Sequence, residues 1–297
     1  MTDYDLTLGM PHTNRFGLWE PLLMMQAAHV QWSAIADAIG QPLSRLRTAA
    51  GGEVYATFYY IETRIPESTP IESFDVDDTI RFRVALRAFK NIAVEGRLVF
   101  NRPETLGSDT PPAADATVSA AHPYIRFGNI FITPLVGNHD LRVAPPANAD
   151  FSRLPSLPND ENPYQFTREG KTSGTLGIVD ERWLRCGERF SFDYELDPDR
   201  DTNGAGLVYF ANYIVYAEIA TRKALMAVNM QAQRSLRWRR VAFFGNADPS
   251  DSITVRVECF TGSDRLLMAH RCAIERNRDG QTIFLTEAVT AARPGPA

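Results

Sequence analysis

The chain is short of cysteine, of histidine and of net positive charge, and each shortage closes off a class of function. Its three cysteines, Cys186, Cys259 and Cys272, have no metal-site spacing and cannot all pair, which fits a reducing compartment. His122, His139 and His270 stand in no ligand-like spacing with a carboxylate, so no metal is expected. A net charge of −5 argues against nucleic-acid binding. No apolar run is long enough to span a bilayer, and the acidic start MTDYDLTLGM lacks the apolar core of a signal peptide. These absences predict a cytoplasmic protein with no membrane contact.

What the chain does have is a repeat. Thr13-Asn14-x-x-Gly17-Leu18 opens one long apolar helix pattern, and Thr202-Asn203-x-x-Gly206-Leu207 opens another. The offset is 189 for the Asn pair (14 and 203) and for the Gly pair (17 and 206). A period that long marks a duplicated domain rather than a solenoid, whose repeat would be roughly 20–50 residues. Helical spacing runs over 19–39 and 208–228. Strand patterns precede the loops at 4–10 and 188–197. Others follow at 54–61, 80–87, 92–100 and 123–132, and again at 236–245, 252–260, 265–276 and 282–289. Residues 101–119 read as a long polar hairpin connection. The proline-bearing stretch 141–170 reads as a linker between an N-terminal half, 1–140, and a C-terminal half, 171–297. Each half is then a strand, a long helix and an antiparallel meander, an α+β sandwich.

A polar, glycine-containing loop running into a buried helix offers free backbone N–H groups to a ligand. That makes Asn14, Gly17 and Leu18, and likewise Asn203, Gly206 and Leu207, candidates for holding a substrate carbonyl. Asn can donate a hydrogen bond but cannot act as a base. Its plainer role at both places is a helix cap or a turn. His12 stands two residues before Asn14, where the second repeat has Asp201. The histidine suits acid–base chemistry and the aspartate a substrate contact. Tyr55 and Tyr59 share one face of their strand, and Tyr60 points the other way. Arg237, Arg239 and Arg240 read either as a solvated strand face or as a contact for a phosphate-bearing ligand or an acidic carrier protein. Glu218 reads first as a solvated or helix-pairing residue, with a functional carboxylate as the alternative.

The segment Gly206-Leu207-Val208-Tyr209-Phe210-Ala211-Asn212-Tyr213 resembles the active-site loop and helix start of 4-hydroxybenzoyl-CoA thioesterase-like proteins. That resemblance implies a hotdog fold. Gly9-Met10-Pro11-His12, Gly17-Leu18, Val54-Tyr55-Ala56-Thr57-Phe58 and Asn203-Gly204-Ala205-Gly206-Leu207 together resemble the double-hotdog acyltransferase/decarboxylases of polyketide biosynthesis. The wider resemblance implies two tandem hotdog halves, each a long helix wrapped by an antiparallel sheet. It implies a methylmalonyl-type acyl-CoA as substrate, loss of its carboxylate, and delivery of the acyl group to an acyl carrier protein. Coenzyme A or phosphopantetheine would enter only as part of the substrate, with no cofactor of the protein's own. Tyr55 would carry the acyl group, and Asn203 would donate to the developing enolate. Where the thioesterases have an Asp three residues before the Gly, this chain has Asn14 and Asn203, which lowers the expectation of hydrolysis. A thioesterase or dehydratase, and a non-catalytic acyl-carrier binding protein, stay open as alternatives, as does a homodimer of double hotdogs.

Overall fold

The computed structural model describes residues 2–107, 110, 121–135, 139–230, 234–262 and 266–293. Most of the expected 101–119 connection therefore lies outside the described residues. The chain divides into two compact units, one of residues 1–135 and 141–164, the other of 136–140 and 165–297.

The first unit opens with β1 (Thr2–Thr7), a turn at Met10–His12 and the small hairpin β2 (Thr13–Asn14) and β3 (Gly17–Leu18). Helix α1 (Glu20–Ile39) follows, rich in Ala, Leu and Met, and stops at Gly40, whose φ of 71° is the left-handed cap that glycine adopts freely. Then come β4 (Tyr55–Arg64), β5 (Thr79–Phe89), β6 (Ala93–Asn101), β7 (Tyr124–Pro134) and the short β8 (Leu141–Val143). The main sheet runs β1-β5-β6-β7-β4, antiparallel throughout. Trp32 of α1 stacks on Phe58 of β4 at 5.2 Å, and Phe58 packs at a tilt on Phe127 of β7 at 4.8 Å, so helix and sheet share one aromatic core. Each fully buried aromatic or branched side chain contributes on the order of 1.5–3 kcal/mol. Residues 144–163 close this unit. Phe151 packs on Phe131 at 5.1 Å, and Leu157 N donates to Ala88 O at 2.8 Å. Glu161 bridges Arg87 and Arg97.

The second unit contains α2 (Tyr164–Ser173) from residue 165 on, β9 (Leu184–Glu195), a single turn at Pro198–Asp201 and the long α3 (Phe210–Ala227). Strands β10 (Arg234–Phe243), β11 (Ser252–Thr261), β12 (Leu267–Arg276) and β13 (Gln281–Ala292) complete it. Its sheet runs β9-β11-β12-β13-β10, again antiparallel. Leaving aside β8 and the small hairpin, both units order their strands first, third, fourth, fifth, second, with the long helix between first and second. The registers also agree. Leu8 N bonds to Asp78 O where β1 meets β5, and Leu196 N bonds to Asp251 O where β9 meets β11. Both second strands carry a β-bulge at the same rung, between Phe58 and Tyr60 in β4 and between Leu236 and Trp238 in β10. Among the described residues no helix is long and apolar enough to cross a membrane.

Candidate functional site

Both long helices begin at an aromatic residue, Trp19 or Tyr209, whose side chain makes no cap. The opening N–H groups of α1 and α3 therefore lack the usual side-chain acceptor. Trp19 N donates to His12 O at 3.1 Å, and Tyr209 N to Asp201 O at 2.9 Å, so His12 and Asp201 occupy matching places. They are 189 residues apart, but the helix starts are 190 apart, Trp19 against Tyr209. The second loop is one residue longer. Asn14 pairs with Gly17 in the first, whereas Asn203 N donates to Leu207 O in the second. Leu207 thus stands where Gly17 does, and Val208 where Leu18 does, despite the matching Gly-Leu letters. The helices keep the 190 offset: Glu20, Pro21, Leu23, Met24, Ala27, Val30, Gln31, Ala34 and Ile35 are buried, and so is each residue 190 positions later.

Both candidate asparagines fold back on their own loops. Asn14 Oδ1 accepts from Phe16 N at 2.8 Å. Asn203 Oδ1 accepts from Ala205 N at 3.0 Å and Leu207 N at 3.2 Å, leaving its amide nitrogen as the side-chain donor. Gly17 has φ of 96°, and a Cβ there would sit 2.4 Å from Glu72 O. Gly206 has φ of 72° with open space around it. Leu18 is buried, and its N–H is bound to Phe74 O.

His12 and Asp201 are held differently. His12 Nδ1 accepts from Gly9 N at 2.9 Å, and Nε2 lies 3.5 Å from Gln26 Nε2. Asp201, 2 % exposed, accepts from Asp197 N at 2.8 Å, Arg200 Nη2 at 2.9 Å and Tyr194 Oη at 3.3 Å. Burial pulls its carboxyl upward, but Arg200 and the Asp197 N–H outweigh that and hold it below the usual range. Tyr216, at the α3 position that matches Gln26, packs on Tyr194 in a tilted pair with ring centres 4.4 Å apart. Burial first, and the Asp201 carboxylate second, push its hydroxyl well above the ordinary phenol range. Asp201 is thus an ionised anchor whose oxygens are already engaged.

Tyr55 is half-buried and donates to Glu53 Oε2 at 2.6 Å. That bond, then burial, raises its phenol, so it is held as the neutral hydroxyl. Tyr59 is the extra residue of the β4 bulge. It is buried over Gly128 and donates to Asn162 Oδ1 at 2.9 Å. Burial, then Glu95, raises it too. Strict alternation would send Tyr60 to the opposite face. The bulge instead brings both rings to the side that carries Arg126, which lies over the Tyr60 ring and donates to Glu161 O.

The arginines also separate. Arg240 donates to Leu176 O at 2.9 Å and lies over the Trp238 and Phe166 rings. Arg237 is the bulge residue of β10, half-buried, with no hydrogen-bond or ion-pair partner among the described residues and with Nη1 fully buried. Arg239 is 1 % exposed and pairs with Glu218 of α3. Beside that pair lies His270 of β12, 4 % exposed, with Nε2 unpartnered. No sequence spacing links Glu218 to His270, and only the pairing of β10, β13 and β12 brings them together. A cleft of about 270 Å³ opens elsewhere on this unit, beside Lys171, Phe244 and Leu285. Its arginines, Arg189, Arg256 and Arg271, already face Glu258, Glu275 and Glu287.

No protein-family model matches the chain, and no curated protein matches it. Solved structures do. A protein described as an oleoyl thioesterase from Lactobacillus plantarum superposes with a TM-score of 0.65 at 10% identity, over 98% of this chain and 96% of that one. An acyl-ACP thioesterase from Bacteroides thetaiotaomicron gives 0.62 at 10% identity, over 97% of each chain. A 12:0-ACP thioesterase from Umbellularia californica gives 0.63 at 6% identity, over 98% and 94%. The fold is a double hotdog. At such low identity the likeness carries the fold alone, and it does not reach the narrower decarboxylase resemblance. Each half has a helix start without a side-chain cap and a tight loop leading into it.

Proposed function

We propose that this double hotdog is an enzyme acting on acyl thioesters of coenzyme A or an acyl carrier protein, and that its reaction is hydrolysis. The observation that carries the reading is the pair of uncapped starts of α1 and α3. Backbone N–H groups at a helix start stabilise an oxyanion, such as that formed when water adds to a thioester carbonyl. The Asn203 amide nitrogen is a further donor beside the second start. Similar solved structures described as acyl-ACP thioesterases support the same substrate class.

The decarboxylating acyltransferase reading has less support. A tyrosine that takes an acyl group as an ester needs a lowered pKa or an adjacent base in the right geometry. Tyr55 donates to a carboxylate that keeps its proton in place, and no described cation offsets this fully, since Arg47 is only the last of the causes acting on it.

The test is a panel of acyl-CoA and acyl-carrier substrates, with methylmalonyl-CoA included, read for free thiol and for carbon dioxide. Hydrolysis predicts thiol release without carbon dioxide and no covalent adduct on the intact protein. Carbon dioxide release with an acyl adduct that disappears in Tyr55→Phe would replace this reading with the acyltransferase one. Adduct loss in Tyr59→Phe would move the nucleophile to the bulge. Carrier binding without turnover would leave a non-catalytic binding protein.

A further inference from the structure

Two of the three cysteines meet across the edge of the second hotdog. Cys186 lies near the start of β9, the outermost strand, and Cys259 stands directly opposite it on β11. A bulge makes the match. Counting on from Phe190, which faces Val257, Glu188 would meet Cys259. The strand instead swells at Gly187, whose φ of 71° glycine adopts freely, and a Cβ there would lie 2.8 Å from Val228 Cγ1. The shift is by two residues, so it exchanges Glu188 for Cys186 without turning the strand over. Cys259 shares the inner face with Val255 and Val257 and is 4 % exposed, whereas Cys186 is half-buried.

Directly opposite residues of an antiparallel pair point to one face with Cα atoms about 4.5–5.5 Å apart, inside the span of about 4.4–6.8 Å that a disulfide bridges. Packing does not call for thiols here. The registers of the first half put Leu86 in the place of Cys259, Leu98 in that of Cys272 and Gly96 in that of His270. A buried cysteine can serve simply as a small apolar side chain, and Cys272, fully buried opposite Val257 and Thr286, fits that role. Cys259 differs because a second, reachable thiol faces it. Burial, then the neighbouring Cys186, pushes the Cys259 thiol up to about 12, so it does not react first. An accessible thiol beside a sheltered resolving one is the arrangement of reversible redox pairs in reducing compartments.

We propose that Cys186 and Cys259 are a redox modification site that reacts with low-molecular-weight disulfides and closes a reversible bond between β9 and β11. Cys186 loses its proton to water and attacks one sulfur of an RS–SR molecule. That S–S bond breaks, one RS⁻ leaves and takes up a proton, and Cys186 carries the other RS group. The Cys259 sulfur then attacks Cys186 Sγ, and its proton goes to the second departing RS. Two protein thiols are oxidised by two electrons, and one small disulfide is reduced to two thiols. The bond closes the chain from 186 to 259 into a loop that contains the Asn203 turn and all of α3. Oxidation thus fastens the edge strand around the long helix. Cys272 stays outside the reaction, because burial holds its thiol far above the ordinary range and its rung neighbours carry no thiol. None of this chemistry depends on the hydrolytic reading.

The experiment treats the folded full chain with hydroxyethyl disulfide and reads intact mass and a non-reducing peptide map. The wild type should lose two hydrogens, link the Cys186 peptide to the Cys259 peptide, and return to the starting mass with dithiothreitol. C259S should stop at a mixed disulfide on Cys186, C186S should leave Cys259 reduced, and C272S should oxidise as the wild type does. The oxidised wild type should melt roughly 5 °C or more above the reduced form, because a long loop is closed. C186S should melt alike in both conditions. A mixed disulfide that persists on Cys186 of the wild type, a link that includes Cys272, no reaction in the folded chain, or a Tm that fails to rise on oxidation would each overturn the inference.

Discussion

Where the first half sets Arg97 opposite Arg126, the second sets Arg271 opposite Glu287 at the same rung. Two like charges facing each other across strands repel. The first half resolves this with Glu95, fully buried, which accepts from Arg87, Arg97 and Arg126, and with Glu161, which reaches Arg87 and Arg97. In the second half the counterpart of Glu95 is Ala269, because the carboxylate already stands on the neighbouring strand. There Glu287 takes Arg271 at 2.6 Å and also accepts from Ile178 N and Thr175 Oγ1. Both arrangements use a buried carboxylate to fasten a peripheral segment to the sheet. The comparison teaches that topology fixes where such a fastening is needed, while residue identities drift around it.

The strongest test of that comparison is Glu95→Ala. It leaves three guanidiniums around an empty place and should destabilise by about 3–5 kcal/mol in chemical denaturation. The same residue at 269 is native to the second half, so a small loss would show that the halves are interchangeable there after all.

A second test is pH. His270 is buried neutral at about 4, while its counterpart Gly96 cannot titrate. A lowered histidine pKa means that the unfolded chain binds more protons between the two values. Its contribution is present in full above about pH 6.5 and is lost as pH falls from there toward 4, amounting to about 3 kcal/mol. His270→Gln should remove that part of the slope from a stability-against-pH curve. An unaltered slope would mean that the histidine is not neutral in the fold.

The two motif glycines make a third test. Gly17→Ala must keep a left-handed backbone and meet the Glu72 carbonyl, which should cost about 2–3 kcal/mol, whereas Gly206→Ala has open space and should cost about 1 kcal/mol. Equal thermal shifts in the two variants would contradict the different loop closures described here.

Much of this frame is legible in the letters. Periodicity places both long helices to within two residues, since α1 and α3 bury apolar residues on most of their faces. The alternation of Ile80, Phe82 and Val84 with Arg81 and Arg83 marks β5, whose three apolar residues share one buried face of the sheet. Two things could not be read. The repeated Gly-Leu hides the extra residue of the second loop, because a fixed offset matches letters rather than hydrogen bonds. The Glu218 cluster joins residues on a helix and two strands that do not pair with each other directly, and a lone glutamate in an apolar helix looks like a solvated one. The same limit applies at Tyr60, whose facing depends on a bulge that leaves no mark in a run of aromatics.

The strand order also governs how each half assembles. In each, the last three strands form a meander whose partners are close in sequence and can meet quickly. The outer two are the strands on either side of the long helix, so Thr7 must find Thr79, and Tyr55 must find Ile132. These are long loop closures, made only after a chain entropy that a hairpin does not lose. The meander should therefore form first, and the helix should be enclosed in the same late step that adds the two flanking strands. A chain cut between helix and meander would separate the parts that must close together, whereas a cut within a peripheral segment would not.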